Sequence, residues 1–321
     1  MDCVESLAGG GFSRRLPSND RLHLQHGPID LLIQAHSANP QEVTTAYTAA
    51  TSAFTGLLAE LALDLDQLRQ PASVELKLTH PVSRNMSATA MRFSPTFVTP
   101  MICVAGAVAD YIKHHMLLSA NLDKVLVNNG GDISVHLSPG STAKLAICGD
   151  VRSGRCTDFI ELSYEDKVGG VATSGWPGRS HSLGIADAVT VLADTAALAD
   201  AAATLVANAV DLPGHRNIRR EPATELSPDT DLGDRRVTTH VGELTDSEID
   251  AALSKGMPWA KEFVSQRLIH SGYLHLQGKT QVCQPKRGSS FLVTDDPCLD
   301  LSMPNYPNSS SSISNPIPAG G

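Results

Sequence analysis

Hydrophobic positions along this chain change period several times, and each change predicts an element. Leu22 to His36, LHLQHGPIDLLIQAH, reads as two short strands around a Gly27-Pro28 turn. Asn39-Pro40-Gln41-Glu42 then starts a helix. Asn39 can cap it, Pro40 is tolerated at the first helical position, and Glu42 can reach back as in a capping box. The helix is expected to continue through Leu57, Leu58, Leu61 and Leu65 and to end before Pro71. Thr99-Pro100 offers a second cap and first-turn proline. The helix that follows, Met101 to Met116, is apolar nearly all round at first, which means burial. Gly106 inside it costs about 1 kcal/mol against Ala in an exposed helix. It therefore points to a close approach of backbone or ligand, unless plain helix-on-sheet packing explains it.

Lys124 to Leu137 predicts a strand, an Asn-Asn-Gly-Gly turn and a second strand alternating Ile133, Val135 and Leu137. Ala143 to Gly149 and Asp158 to Tyr164 are expected to extend that antiparallel run. A β-branched strand, Ala188 to Ala193, precedes an alanine-rich helix, Asp194 to Asn208. The layout segregates strands and helices, so the fold class is α+β, antiparallel sheets with packed helices. Beyond Asp211, Gly214 to Val237 is charged and Pro-punctuated, and reads as a long irregular loop. Thr245 and Glu248 form a capping box for a helix reaching about Lys255. A further helix from Pro258 to His270 and a strand from Tyr273 to Leu276 complete the pattern. Residues 1–20 are expected to be loose, 21–283 to form a single domain, and the Ser-, Pro- and Asn-rich 284–321 to be disordered.

Charge and composition narrow the classes. The 321 residues carry 25 Lys plus Arg against 34 Asp plus Glu, a net charge of −9, which argues against nucleic acid as a partner. No apolar run is long enough to span a membrane, and the amino terminus has no signal-peptide core. Cys3, Cys103, Cys148, Cys156, Cys283 and Cys298 are scattered without a CxxC pair, which fits reduced thiols in the cytoplasm.

Candidate chemistry centres on the alanine-rich helix. Asp200 and Thr204 are four residues apart and share a helical face, among Ala side chains too small to screen them. Such oxygen ligands suit Mg²⁺, although a packed Ala helix with one solvent-facing Asp fits the same letters. Arg216, Arg219, Arg220, Arg235 and Arg236 could clamp phosphate or carboxylate, or could be balanced by Asp229, Asp231 and Asp234. His114-His115 ends a helix, where positive charge is favourable without any metal.

Four segments read in order are more specific than any one alone. They are Gly106-Ala107-Val108-Ala109, Asn128-Asn129-Gly130-Gly131-Asp132-Ile133, Ala172-Thr173-Ser174-Gly175 and Asp200-Ala201-Ala202-Ala203-Thr204. Over roughly residues 100 to 210 the chain resembles the ApbE superfamily, which includes the FAD:protein FMN transferases and shows LGGIAKGY, NLGGDI, ATSG and DALAT in that order. The resemblance implies a duplicated T-fold-related architecture holding FAD or FMN. It implies Mg²⁺ on Asp200 and Thr204, with a backbone carbonyl near the Gly-Ala motif. Flavin contacts are expected from Gly106, Ala107, Asn128, Gly130, Gly131, Asp132, Thr173, Ser174 and Gly175. Asp200 and His181 are the catalytic candidates. Two departures place the chain in an ApbE-like branch apart from the standard transferases. Asp110 stands where the family has Lys, and Arg179 to Gly184 echoes SHIIDPRTG only in part, through His181. The implied activities are transfer of FMN from FAD to an acceptor protein, or FAD pyrophosphate cleavage. A binding module without catalysis, serving a partner enzyme, is the alternative, and a homodimer is expected.

Overall fold

The computed structural model describes residues 4–16, 20–147, 158–284 and 291–292. Strands β1 (Val4–Ser6), β2 (Phe12–Leu16), β3 (Arg21–His26) and β4 (Ile29–His36) lead into helices α1 (Pro40–Phe54), α2 (Leu57–Leu63), α3 (Leu65–Leu68) and α4 (Pro81–Met91). A 3-10 turn, Pro100–Cys103, opens into α5 (Val104–Ser119). Then come β5 (Lys124–Asn129), β6 (Asp132–Leu137), β7 (Thr142–Ile147), β8 (Asp158–Ser163), β9 (Gly170–Ser174), β10 (Ala188–Ala193) and α6 (Ala196–Ala209). The remainder is β11 (Ile218–Pro222), α7 (Ala223–Leu226), β12 (Arg236–Val241), α8 (Asp246–Ser265), β13 (Ser271–Leu276), β14 (Lys279–Cys283) and β15 (Phe291–Leu292).

Ten strands form one sheet in the order β1-β2-β3-β4-β5-β6-β9-β10-β13-β14, with every neighbouring pair antiparallel. One face carries the main core, where Leu31, Ile33, Val125, Val127 and Val189 meet Phe54, Met86, Val108, Ile112, Val206 and Leu253 from the helices. On the other face, Leu145 of β7 and Ile160 and Leu162 of β8 pack over Val135, Val171, Leu192 and Tyr273. β10 is therefore covered on both sides and every one of its residues is buried. That is why AVTVLA reads as a continuous apolar run rather than an alternation. α6 lies beneath it, and its small side chains let neighbouring backbone come close. A Cβ added at Gly106 of α5 would sit 2.3 Å from the Ala196 carbonyl oxygen. The close approach expected at Gly106 is thus made by backbone.

Several elements differ from their sequence reading, each for a physical reason. Residues 4–16 are not loose, because β1 and β2 extend the main sheet beyond β3. Gly56, at φ +83°, turns the chain and splits the long helix expected up to Leu65. Asn39 does cap α1, but Glu42 accepts from Asn121 N at 2.8 Å instead of closing a capping box. Thr99 caps nothing with its side chain, because its hydroxyl donates to Asp231. β7 and β8 lie outside the main sheet, paired with each other, and β15 adds to β8 in that separate layer. Within the expected loop 214–237, β11 and α7 form, and β12 pairs with β11 in a two-stranded ribbon. α8 runs through Pro258 without stopping, since Ile249, Leu253, Gly256, Ala260 and Phe263 bury one continuous face. β14, which carries no clear period, pairs with β13 from Gly272 to Leu276. The expectation of disorder after residue 284 lies outside the described residues except at β15, and Cys3, Cys148, Cys156 and Cys298 also lie outside them. Cys103 and Cys283 are buried free thiols.

Candidate functional site

Helices α5 and α6 cap each other. The first backbone N–H groups of a helix lack intrahelical partners and attract anions. Thr195 caps α6 through Leu198 N, but the N–H groups of Ala196 and Ala197 go to the Asp110 carboxylate, at 3.2 and 3.0 Å. Cys103, the residue before α5, makes no side-chain cap. Instead Gly106 N donates to Asp200 Oδ2 at 3.0 Å, and Ala105 N also donates to that carboxylate. Each helix thus sends an acid to the N-terminus of the other.

The two acids then part company. Asp110 also accepts from the Ser134 hydroxyl and lies 3.6 Å from the Lys113 ammonium. Lys113 completes its own shell with the Val135 and Gly169 carbonyls at 3.2 and 3.3 Å. Asp200 has no such cation. Burial and the neighbouring Asp132 carboxylate push its pKa well above the ordinary carboxylate range, with Asp110 adding to the repulsion. Asp132, at the start of β6, accepts the Thr173 N–H, and burial raises its pKa to about 7 despite the nearby Arg179 charge. Both acids keep some accessible surface, so they are not sealed in the core. A cap needs one acceptor; a second carboxyl group here only crowds the first.

Hydroxyls and amides complete the site. Thr204, one turn beyond Asp200, donates to Ser174 Oγ at 3.4 Å, joining α6 to the end of β9. Asn129 is buried under α5 and donates to the Ala105 carbonyl at 3.1 Å, beside the Asp200 carboxylate. Asn128 serves the hairpin turn by accepting from Gly131 N at 2.8 Å. Gly130 and Gly131 adopt φ of +68° and +115°, a left-handed backbone that favours glycine. Ala107 is buried in the α5 core.

The residues quoted from the sequence therefore separate. Asp132, Ser174, Asp200, Thr204 and the Gly106 N–H come together. Thr173 joins through its backbone, while its hydroxyl pairs with Thr190 Oγ1 at 2.8 Å. A Cβ at Gly175 would lie 2.2 Å from the Asp187 carbonyl oxygen, so protein backbone accounts for that glycine. Ser182 and Leu183, which follow His181, are tied to Asn208, eight residues and about 12 Å along α6 from Asp200. Asp110 is not an inverted charge facing a ligand; it is consumed by the α6 N-terminus. Sequence reading named Asn129 and Arg179 only as members of motifs, without a role, and did not single out Lys113 or Ser134. Strand alternation carried a signal for Asn129, which shares its parity with the buried Val125 and Val127. A separate groove of about 340 Å³ along α1, lined by Gln41, Thr44, Thr48 and Ser52 among others, contains no ionisable side chain.

The donor set is all oxygen, and among the described residues no three His, Cys, Asp or Glu gather as a ready metal cluster. Two carboxylates with hydroxyls fit a hard divalent ion that keeps part of its shell for water or phosphate. The class defined by fold and site is an α+β protein with an acid-lined recess where two helices meet a glycine hairpin. A family model described as "AbpE bacteria" matches residues 13–282, and the chain belongs to that family. A UPF0280 protein of Methanopyrus kandleri is 40% identical over 128 residues, 40% of this chain and 48% of its own length. One from Methanobrevibacter smithii is 35% identical over 115 residues, 35% of this chain and 46% of its own. The chain thus spans about half the length of the curated relatives it matches. The apo crystal structure of the Pseudomonas stutzeri flavinyl transferase ApbE aligns with 81% of this chain and 74% of its own, at 14% identity and a TM-score of 0.32. Among the described residues no helix is long and apolar enough to cross a membrane.

Proposed function

We propose that this protein binds a flavin nucleotide, FAD or FMN, with Mg²⁺ in the recess between α5, α6 and the β5–β6 hairpin, and that it works in the cytoplasm. The observation that carries the reading is the Asp132–Asp200 pair, two crowded carboxylates whose repulsion a divalent cation would relieve. Asp200, Asp132 and Thr204 are the residues that would hold the ion, and the Ala105 carbonyl lies beside them. Bound there, Mg²⁺ would neutralise and polarise the phosphate oxygens of the ligand. The protein's own share is positioning. Gly106 and Ala105 N–H groups fix the Asp200 carboxylate, the Thr173 N–H fixes Asp132, and the open Gly131 backbone leaves room for a ligand.

If the site is catalytic, the reaction is cleavage of the FAD diphosphate. An acceptor hydroxyl, of a protein or of water, forms the new O–P bond to the FMN phosphoryl group; AMP leaves with the electrons of the broken P–O bond, and the acceptor loses its proton. A second reading, a binding module without turnover, is favoured by one observation. Among the described residues, no histidine figures among the groups that chiefly set the charge of Asp132 or Asp200. Titrating the protein with FAD, with and without Mg²⁺, while following flavin fluorescence and AMP release, separates the readings. Binding with AMP release supports the transferase or pyrophosphatase; metal-dependent binding without AMP supports the module. Absence of flavin binding under both conditions removes both.

A further inference from the structure

Charge around the recess is unevenly spent. Asp132 and Asp110 each repel Asp200, and two cations lie near these acids. Lys113 is used up by Asp110 and two backbone carbonyls. Arg179 is different. It acts on Asp132 electrostatically, yet among the described residues it forms no hydrogen bond or ion pair. Its guanidinium lies over the hairpin turn. A Cβ added at Gly130 would fall 1.8 Å from Arg179 Nη2, so the guanidinium rests directly on the turn. Beside it, the space where Gly131 would carry a Cβ is open, with no atom within 4 Å. Arg179 is exposed, so it screens Asp132 without closing onto it as an ion pair. Its planar fork of donors is left to solvent beside the hairpin and the acid pair, a shape that matches a phosphate.

Building on the proposed acid-pair cation site, we propose that Arg179 is the anion clamp of the recess. Its guanidinium pairs with a phosphate group of the ligand while Asp132 and Asp200 face the same group through the cation. The protein would therefore select phosphorylated ligands over their unphosphorylated forms. A recess holding only carboxylates would repel an anion, and Arg179 supplies attraction from the side opposite the acids.

The test is calorimetric titration of the full chain and of Arg179→Ala and Arg179→Lys with Mg²⁺-pyrophosphate, FMN and riboflavin. Arg179→Ala is expected to weaken pyrophosphate and FMN by about ten- to a hundredfold, the range for charge-assisted hydrogen bonds, while leaving riboflavin affinity and thermal midpoint unchanged. Arg179→Lys should recover part of the loss, because charge returns without the fork. Unchanged pyrophosphate affinity in Arg179→Ala, or no pyrophosphate binding by the wild type, would overturn the clamp. So would a parallel loss of riboflavin, which has no phosphate to clamp. Arg179-dependent pyrophosphate binding with no affinity for either flavin keeps the clamp and removes the flavin reading instead, so the two claims fail separately.

Discussion

Asp110 and Asp200 occupy equivalent positions in a reciprocal arrangement, each presented by one helix to the N-terminus of the other. Their surroundings make them different kinds of residue. Asp110 receives two backbone N–H groups, a hydroxyl and an ammonium. Asp200 receives two N–H groups and faces two more acids. The first is a finished structural joint. The second is a joint crowded by other acids, which a bound proton relieves and a bound cation would relieve in its place. An acid at a helix N-terminus is thus assigned by the groups around it, and its capping bonds alone do not decide.

The comparison breaks most severely at Asp110. Asp110→Ala strips the α6 N-terminus and leaves Lys113 buried beside carbonyls without its carboxylate. We expect a loss of about 3–5 kcal/mol, the range for removing one partner of a buried pair, read as the urea midpoint. Gly106→Ala attacks both caps together by placing a methyl 2.3 Å from a backbone carbonyl that cannot swing aside. About 1–3 kcal/mol should be lost on the same measurement, with Mg²⁺ affinity falling alongside. If Gly106→Ala unfolds at the wild-type midpoint, the two helices are not in register as described.

Asp200→Asn sharpens the contrast from the other side. The amide oxygen can still accept from Gly106 N while the repulsion with Asp132 disappears. Stability should stay within about 1 kcal/mol of wild type or rise, while metal-dependent ligand binding falls at least about tenfold. A large loss of stability would make Asp200 a structural cap like Asp110.

The smallest expected effect is in pH. Asp132 has a folded pKa of about 7 against an ordinary 3.8, so the folded state holds more protons than the unfolded state between those values. Its contribution to stability is then complete below pH 3.8 and falls away as pH rises toward 7. The metal-free protein should unfold at lower urea at pH 8 than at pH 5, and Asp132→Asn should flatten that difference. An unchanged slope in the variant would place the titration elsewhere.

Local pattern made much of the fold legible. The β3–β4 and β5–β6 hairpins, the cap at Asn39, the capping box at Thr245 and the alanine helix all follow from turn residues and periodicity. Elements decided by distant contacts were not legible. α8 crosses Pro258 because its buried face continues, and β7–β8 forms a second layer because β6, β9, β10 and β13 need covering. In the site, spacing exposed Asp200 and Thr204, and motif order exposed Asp132. The role of Asp110 was hidden because its partners, Ala196 and Ala197, lie 86 and 87 residues away. The role of Arg179 was hidden for a related reason, since only the folded chain brings it over Gly130.

The central claim is that Asp200 and Asp132 form a cation site and not a second structural cap. Calorimetric titration of Mg²⁺ into wild type and Asp200→Asn at pH 7, in buffers of differing ionisation enthalpy, tests it most directly. The account expects wild type to bind Mg²⁺ with release of protons, because the raised carboxyl groups must ionise to take the ion, and expects Asp200→Asn to bind at least about tenfold more weakly. Equal Mg²⁺ binding by the two proteins, or binding without proton release, would contradict it.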